Sequence, residues 1–232
     1  MQDNISSGRE TDQAVDGQGS CAPPTQDLAR ALEQKLLLLH EVDHRVKNNL
    51  QLITSLLKLQ ARRSSDPAVK LALNGAQVRV SAVATVHRRL FRGEEVERFD
   101  VAAFVEDLVD DVIGGSGRRD IQVRLQLEPV DLPAAHAAPL ALLISELLVN
   151  VVRHAFPDGR PGVLSISVGR ETDGFFVEIA DNGVGMGTPA AAPGFGETIV
   201  TLLSGQLGAQ RETTDAKPGV RTVIRLPVNG KP

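Results

Sequence analysis

An α+β fold is what this sequence predicts: an antiparallel helical hairpin, closed into a four-helix bundle by a second copy, then an α/β sandwich. Three observations predict it. Apolar residues recur in a four-three alternation to about residue 90, the pattern then changes to the period-two alternation of strands, and one apolar helix near 137–155 carries a compact polar face. With 232 residues, 42% of them hydrophobic, the chain can bury a real core in one large domain or two modest ones.

Residues 1–26 are polar and Gly-containing and include Pro23-Pro24, a composition that cannot offset the entropy of ordering, so a flexible arm is expected. A helix follows over 27–63. Leu32, Leu36, Leu39, Asp43, Val46, Leu50, Ile53, Leu57 and Gln60 form its seam. Ser64-Ser65-Asp66-Pro67 ends it, and Asp66 and Pro67 suit the cap and first turn of a second helix. Val69, Leu73, Ala76, Val80, Val83, His87 and Leu90 continue the seam there. A lone hairpin leaves apolar edges open, which a homodimer would cover.

Gly93 and the charged run Glu94-Glu95-Val96-Glu97-Arg98 mark a linker, so the hairpin is assigned 27–93 and the second domain 94–230. In that domain Val101 to Val112 read as a helix ended by Gly114-Gly115. Ile121–Leu127, Val163–Val168, Phe175–Ala180 and Thr222–Leu226 read as strands, and 137–155 and 196–208 as helices.

Composition excludes several function classes. A net charge of −4 with interspersed signs gives no continuous basic stripe, and the absence of Trp and Tyr removes the usual base-stacking platforms, so nucleic acid is not an expected partner. Cys21 is the only cysteine, which leaves no internal disulfide or thiolate metal cluster and fits a reducing, cytoplasmic setting. The longest apolar stretch, Ala141 to Val152, is interrupted by Ser145, Glu146 and Asn150, and no membrane insertion is expected.

Chemistry gathers at three places. Rotation at 100° per residue sets Glu146, Asn150, Arg153 and His154 on one face of helix 137–155. Such a face suits either simple solvation or a Mg²⁺ ion with the phosphates it bridges, since Mg²⁺ takes few protein oxygens. Asp181-Asn182-Gly183-Val184-Gly185 follows an apolar strand, and Gly194-Phe195-Gly196 opens a helix. Glycines there let backbone approach a ligand, and a helix N-terminus offers N–H groups to phosphate. Asp181 can accept from an exocyclic amine such as that of adenine. Each glycine pair alone is explained by a turn, but the ordered set is not. The third place is the run His44-Arg45-Val46-Lys47-Asn48-Asn49-Leu50-Gln51, beside the seam residue Asp43. Counted from the turn near residue 65, His44 and His87 fall at similar height. His40 is a competing position one turn earlier, and His87 in the seam reads as a packed residue.

These boxes together resemble the two-component sensor histidine kinases with a GHKL-type ATPase domain. Glu146 to Pro157 is similar to that family's N box, Asp181 to Gly185 to its first glycine box, and Gly194 to Gly196 to its second. The run from His44 resembles the acceptor box of the subgroup with Lys-Asn-Asn after the histidine. The resemblance implies ATP and Mg²⁺ as cofactors, His44 as acceptor of the γ-phosphoryl group, Asn150 as Mg²⁺ ligand and Glu146 as the group that polarises the attacking species. It implies that Asp181 reads adenine, Gly183 and Gly185 shape its pocket, Gly194 and Gly196 approach the phosphates, and Arg153 and His154 complete the nucleotide site. Its partners would be a second copy, a response-regulator receiver domain that takes the phosphoryl group on aspartate, and a separate sensory protein. The alternative is a dimeric phosphotransfer or phosphatase adaptor with a degenerate ATP domain, Asn48 orienting water against a phosphoaspartate. Two departures stand out. Arg45 replaces the acid that commonly follows the histidine, and Glu197 places negative charge beside the expected triphosphate, where it should weaken ATP binding.

Overall fold

The computed structural model describes residues 24–90, 98–186 and 194–227. Most of the expected arm, Gly93 with Glu94 to Glu97, and residues 187–193 lie outside the described residues. The chain divides into two compact units, one ending at Val42 and one beginning at Asp43. In the first, α1 (Pro24–Arg63) begins three residues earlier than position 27, and Leu28, Leu32, Leu37, Leu38 and Val42 are exposed along it.

The second unit opens with the rest of α1 and with α2 (Pro67–Leu90). Asp66 caps α2, its Oδ1 accepting from Ala68 N at 2.8 Å. At the far end Asp43 Oδ1 lies 3.2 Å from His87 Nδ1, and Ser65 is midway between them in sequence, so these two segments run antiparallel and level. His44, next to Asp43, therefore stands at the height of His87.

The buried line of α2 is not the predicted seam. Gly75, Ala82, Thr85 and Val86 are buried instead, on a face that packs against the α/β core, while the seam positions Leu73, Ala76, Val80 and Val83 are half-buried. Small and polar residues hide this second face from a search for apolar periodicity.

β1 (Arg98–Asp100) leads into α3 (Val101–Val109), whose first turn is capped by Asp100 Oδ1 accepting from Ala103 N at 3.0 Å. The helix widens into a π turn over Asp110–Gly114. β2 (Ile121–Leu127), β4 (Gly162–Glu171), β5 (Gly174–Asp181), β6 (Gln210–Asp215) and β7 (Val220–Pro227) make one sheet in the order β2-β4-β5-β7-β6. Among the described residues only β2 and β4 pair in parallel. β3 (Asp131–Pro133) pairs with β1 in a separate ribbon.

Alternation decides which face of the sheet is covered. Leu164, Ile166 and Val168 on β4, Phe175, Val177 and Ile179 on β5, and Ile224 and Leu226 on β7 are buried. They join one core with Leu140, Ile144 and Leu148 of α4 (Ala134–Asn150) and Val200 and Leu203 of α5 (Phe195–Gln206). Together α4 and the π turn that follows it, Val151–Ala155, are long and apolar enough to cross a membrane by length and composition, contrary to the expectation that no stretch qualifies. In this fold it is a core helix, two-thirds buried and packed on α2 and α5.

Candidate functional site

Helix α4 and its π turn bring two groups of predicted residues to one structure. The first lies around Glu146, which is 3% exposed and so is not on a solvated face. Asn150 follows one turn later, half-buried. Gly196, in the first turn of α5, faces both: a Cβ there would stand 2.9 Å from Glu146 Oε2 and 3.9 Å from Asn150 Oδ1. A side chain would fill this cradle, so glycine is what lets the α5 backbone come beside the two oxygens. Gly194 caps α5 without a side chain, and the first turn of α5 presents backbone N–H groups as an anion site would.

The second group lies at the end of β5. Asp181 is 7% exposed, and its Oδ1 accepts from Gly183 N at 2.8 Å and from Val220 N at 3.4 Å. Burial pushes its carboxyl pKa up, against those two hydrogen bonds, which pull it down. Among the described residues both of these bonds fall on Oδ1. Gly183 packs on the π turn after α4: a Cβ would come within 2.2 Å of Ala155 O, and Val184 N donates to that same carbonyl at 2.9 Å. Gly185 holds φ of +82°, a region that disfavours other residues.

The π turn changes what rotation at 100° predicts for its members. Arg153 turns towards the hairpin and donates to Leu71 O at 2.9 Å. Gly75 makes room for it, since a Cβ would lie 3.1 Å from the guanidinium. Burial lowers the Arg153 pKa, Glu146 raising it and Arg79 lowering it further. His154 is exposed and joins neither group.

His44 is exposed on α1, with Asn48 Nδ2 3.3 Å from its Nδ1. Which nitrogen carries the proton depends on how that amide is turned. Asp43, the nearest acid in sequence, is directed at His87. The acceptor box and the α4 groups are thus held on different elements.

Three residues of this site escaped the sequence reading. Arg79 of α2 forks onto Glu146, Nε to Oε1 at 2.6 Å and a terminal nitrogen to Oε2 at 3.1 Å, and its guanidinium sits 4.9 Å from the ring centre of Phe195. Arg211 of β6 makes two hydrogen bonds to Glu197, one at 3.0 Å through Oε2 and a shorter one through Oε1, which hold that carboxyl below its usual range. The charge expected to repel triphosphate is therefore already paired. Gly219, with φ of +95°, would drive a Cβ to 1.8 Å from Asp181 O. Its position after Lys217-Pro218 was a turn signal; neither arginine stands in any motif.

Among the described residues no cluster of three or more His, Cys, Asp or Glu is placed to hold a metal. The Gly196 cradle with Asn150 Oδ1 nevertheless fits Mg²⁺, which needs few protein oxygens when phosphates supply the others.

A family model described as "Histidine kinase" matches residues 41–115, and one described as "Histidine kinase-like ATPase domain" matches 116–213. The sensor histidine kinase PdtaS of Mycobacterium tuberculosis is 34% identical over 207 residues, which cover 86% of this chain and 41% of that protein. Blue-light-activated histidine kinase 2 of Erythrobacter litoralis is 28% identical over 211 residues, 88% of this chain and 60% of that one. This chain thus spans about two-fifths to three-fifths of the length of these relatives. The solved histidine kinase domain of the Erythrobacter litoralis EL346 blue-light activated kinase superposes with a TM-score of 0.62 at 27% identity, covering 82% of this chain and 93% of that one.

Proposed function

The chain belongs to the two-component sensor histidine kinases with a GHKL-type ATPase domain, and from that membership we propose that it phosphorylates itself on His44 with ATP and passes the phosphoryl group to an aspartate of a response regulator. The observation that carries this reading is the convergence on helix α4. Glu146, Asn150 and Gly196 meet on its last turn, and Asp181 holds Gly183 against the carbonyl of Ala155 in the π turn just beyond. A nucleotide laid along that helix would have adenine at Asp181 and phosphates at the α5 N-terminus. That arrangement favours hairpin residues 27–93 and ATP-binding residues 94–230 as the two working parts.

Each group then has a task. Asp181 accepts from the adenine amine, Gly183 and Gly185 shape the pocket, and Gly194 and Gly196 admit the triphosphate to the backbone of α5. Asn150 would hold Mg²⁺, which when bound neutralises charge on the phosphates. Arg153 and His154 would complete the nucleotide site once the π turn faces ligand. In the transfer, the lone pair of a His44 ring nitrogen forms a bond to the γ-phosphorus while the bond from that phosphorus to the bridging β-γ oxygen breaks. ADP leaves with the electron pair, and the other ring nitrogen gives up its proton to solvent water. A neutral imidazole is a competent nucleophile near pH 7, and Glu146 is the carboxylate placed to polarise it when the two meet.

The working form is a homodimer. Leu52, Ile53, Leu56 and Leu59 of α1 and Val69 and Leu71 of α2 are exposed, an apolar strip that a four-helix bundle would cover. A sensory partner supplies the signal, and the setting is cytoplasmic. Asn48 beside His44 favours a second activity, hydrolysis of the regulator's phosphoaspartate. Incubation with Mg²⁺ and ATP labelled at the γ position tests the reading. Acid-labile label that vanishes in His44→Ala and in Asn150→Ala is expected, whereas a folded, nucleotide-binding chain that takes no label would overturn the kinase. Dephosphorylation of a regulator by such an unlabelled chain would point to the adaptor.

A further inference from the structure

Arg79 and Glu146 belong to different working parts of the protein, one on the second hairpin helix and one on the helix of the nucleotide site. The guanidinium takes both carboxylate oxygens, at 2.6 and 3.1 Å, and the Glu146 side chain is 4% exposed against 21% for Arg79. Phe195, between the two glycines of the α5 cap, lies against the same guanidinium. Arg79 therefore sits on Glu146 at the edge of the place where Glu146, Asn150 and Gly196 converge. A second tie lies beside it, from Arg153 to Leu71 O across Gly75.

This pose is not the transfer pose. Arg79 precedes His87 by two turns of α2, about 12 Å at 1.5 Å per residue, and His87 marks the level of His44. In-line attack needs the reacting atoms about 3–3.5 Å apart. A carboxylate held in a two-pronged fork also has one lone pair of each oxygen already committed to the guanidinium.

We infer that Arg79 is a latch: its fork onto Glu146, braced by Phe195, holds the nucleotide site shut against the hairpin, and Mg²⁺ with ATP must break that contact before His44 can be reached. The inference rests on the proposed use of ATP. It makes Arg79 a competitor of nucleotide, so that the hairpin controls affinity at a site more than one helical turn from the acceptor. Any signal that rotates or slides α2 releases the latch without touching the nucleotide residues themselves.

The test uses the whole chain and reads binding, not transfer. Affinity for a fluorescent non-hydrolysable ATP analogue with Mg²⁺ is compared between wild type and Arg79→Gln, and hydrogen exchange across residues 75–86 is followed in the wild type with and without the analogue. The latch predicts at least about fivefold tighter binding to Arg79→Gln, the lower end of ordinary coupling between sites, and faster exchange in α2 when the analogue binds. Equal or weaker binding to the variant, or unchanged exchange in a wild type that binds, overturns the latch alone. Should neither protein bind the analogue, the ATP reading falls and the latch with it. The exchange arm needs no substitution, so it decides the question even if Arg79→Gln leaves Glu146 too poorly paired to fold.

Discussion

Under the proposed reading, Asp181 trades stability for recognition. Its carboxyl pKa is raised by burial, so the folded state holds the proton more tightly than the unfolded chain does. Stability therefore falls as pH rises from the ordinary aspartate range through the raised value. Asp181→Asn keeps an oxygen for Gly183 and Val220 and removes that loss. Its melting temperature should exceed that of wild type at pH 7, and the difference should shrink as pH falls below the aspartate range. Nucleotide affinity should move the other way, by roughly tenfold or more, since a hydrogen bond to a charged group is worth about 1.5–3 kcal/mol. Titration with a fluorescent nucleotide beside a melting curve measures both. At Glu197 the sign is reversed. Arg211 lowers its pKa, so the pair stabilises above the ordinary glutamate range and that contribution is lost as pH drops through the lowered value. Arg211→Ala should weaken nucleotide binding most at low ionic strength, and Arg211→Ala with Glu197→Ala should restore it.

At the scale of elements, legibility followed the size of the signal. The strands at Ile121–Leu127 and Phe175–Ala180 and the helix near 137–155 announced themselves by period, and the observed elements coincide with them or run a few residues longer. β6, whose residues Gln210 to Asp215 are mostly exposed and polar, carried no alternation to read. The second face of α2 was hidden for a different reason: helices that approach closely use small residues, and Gly75, Ala82 and Thr85 look like gaps in a seam. The glycine boxes and Asp181 were legible because their chemistry is local in sequence, whereas Arg79 and Arg211 act across 67 and 14 positions. Ala82 is fully buried on the α2 face, so Ala82→Leu should lower stability by about 1–3 kcal/mol, read as a lower melting temperature, with little change expected from Leu at the exposed position 72. Gly183→Ala should be worse, because its methyl meets a backbone carbonyl that also holds Val184.

The whole molecule joins a hairpin with an uncovered apolar strip to a proposed nucleotide site packed against that hairpin. Leu56→Asp should shift sedimentation from dimer to monomer while leaving nucleotide affinity unchanged, because position 56 lies on the exposed side of α1. A dimer unaffected by that charge would place the interface elsewhere. Everything in the account depends on His44 receiving phosphorus from ATP. Peptide mapping of the chain after incubation with Mg²⁺ and ATP, kept at neutral to alkaline pH to preserve phosphohistidine, locates the group directly. The account predicts acid-labile phosphate on the peptide containing His44, and phosphate on His40 or His87 instead, or none on a chain that binds nucleotide, would contradict it.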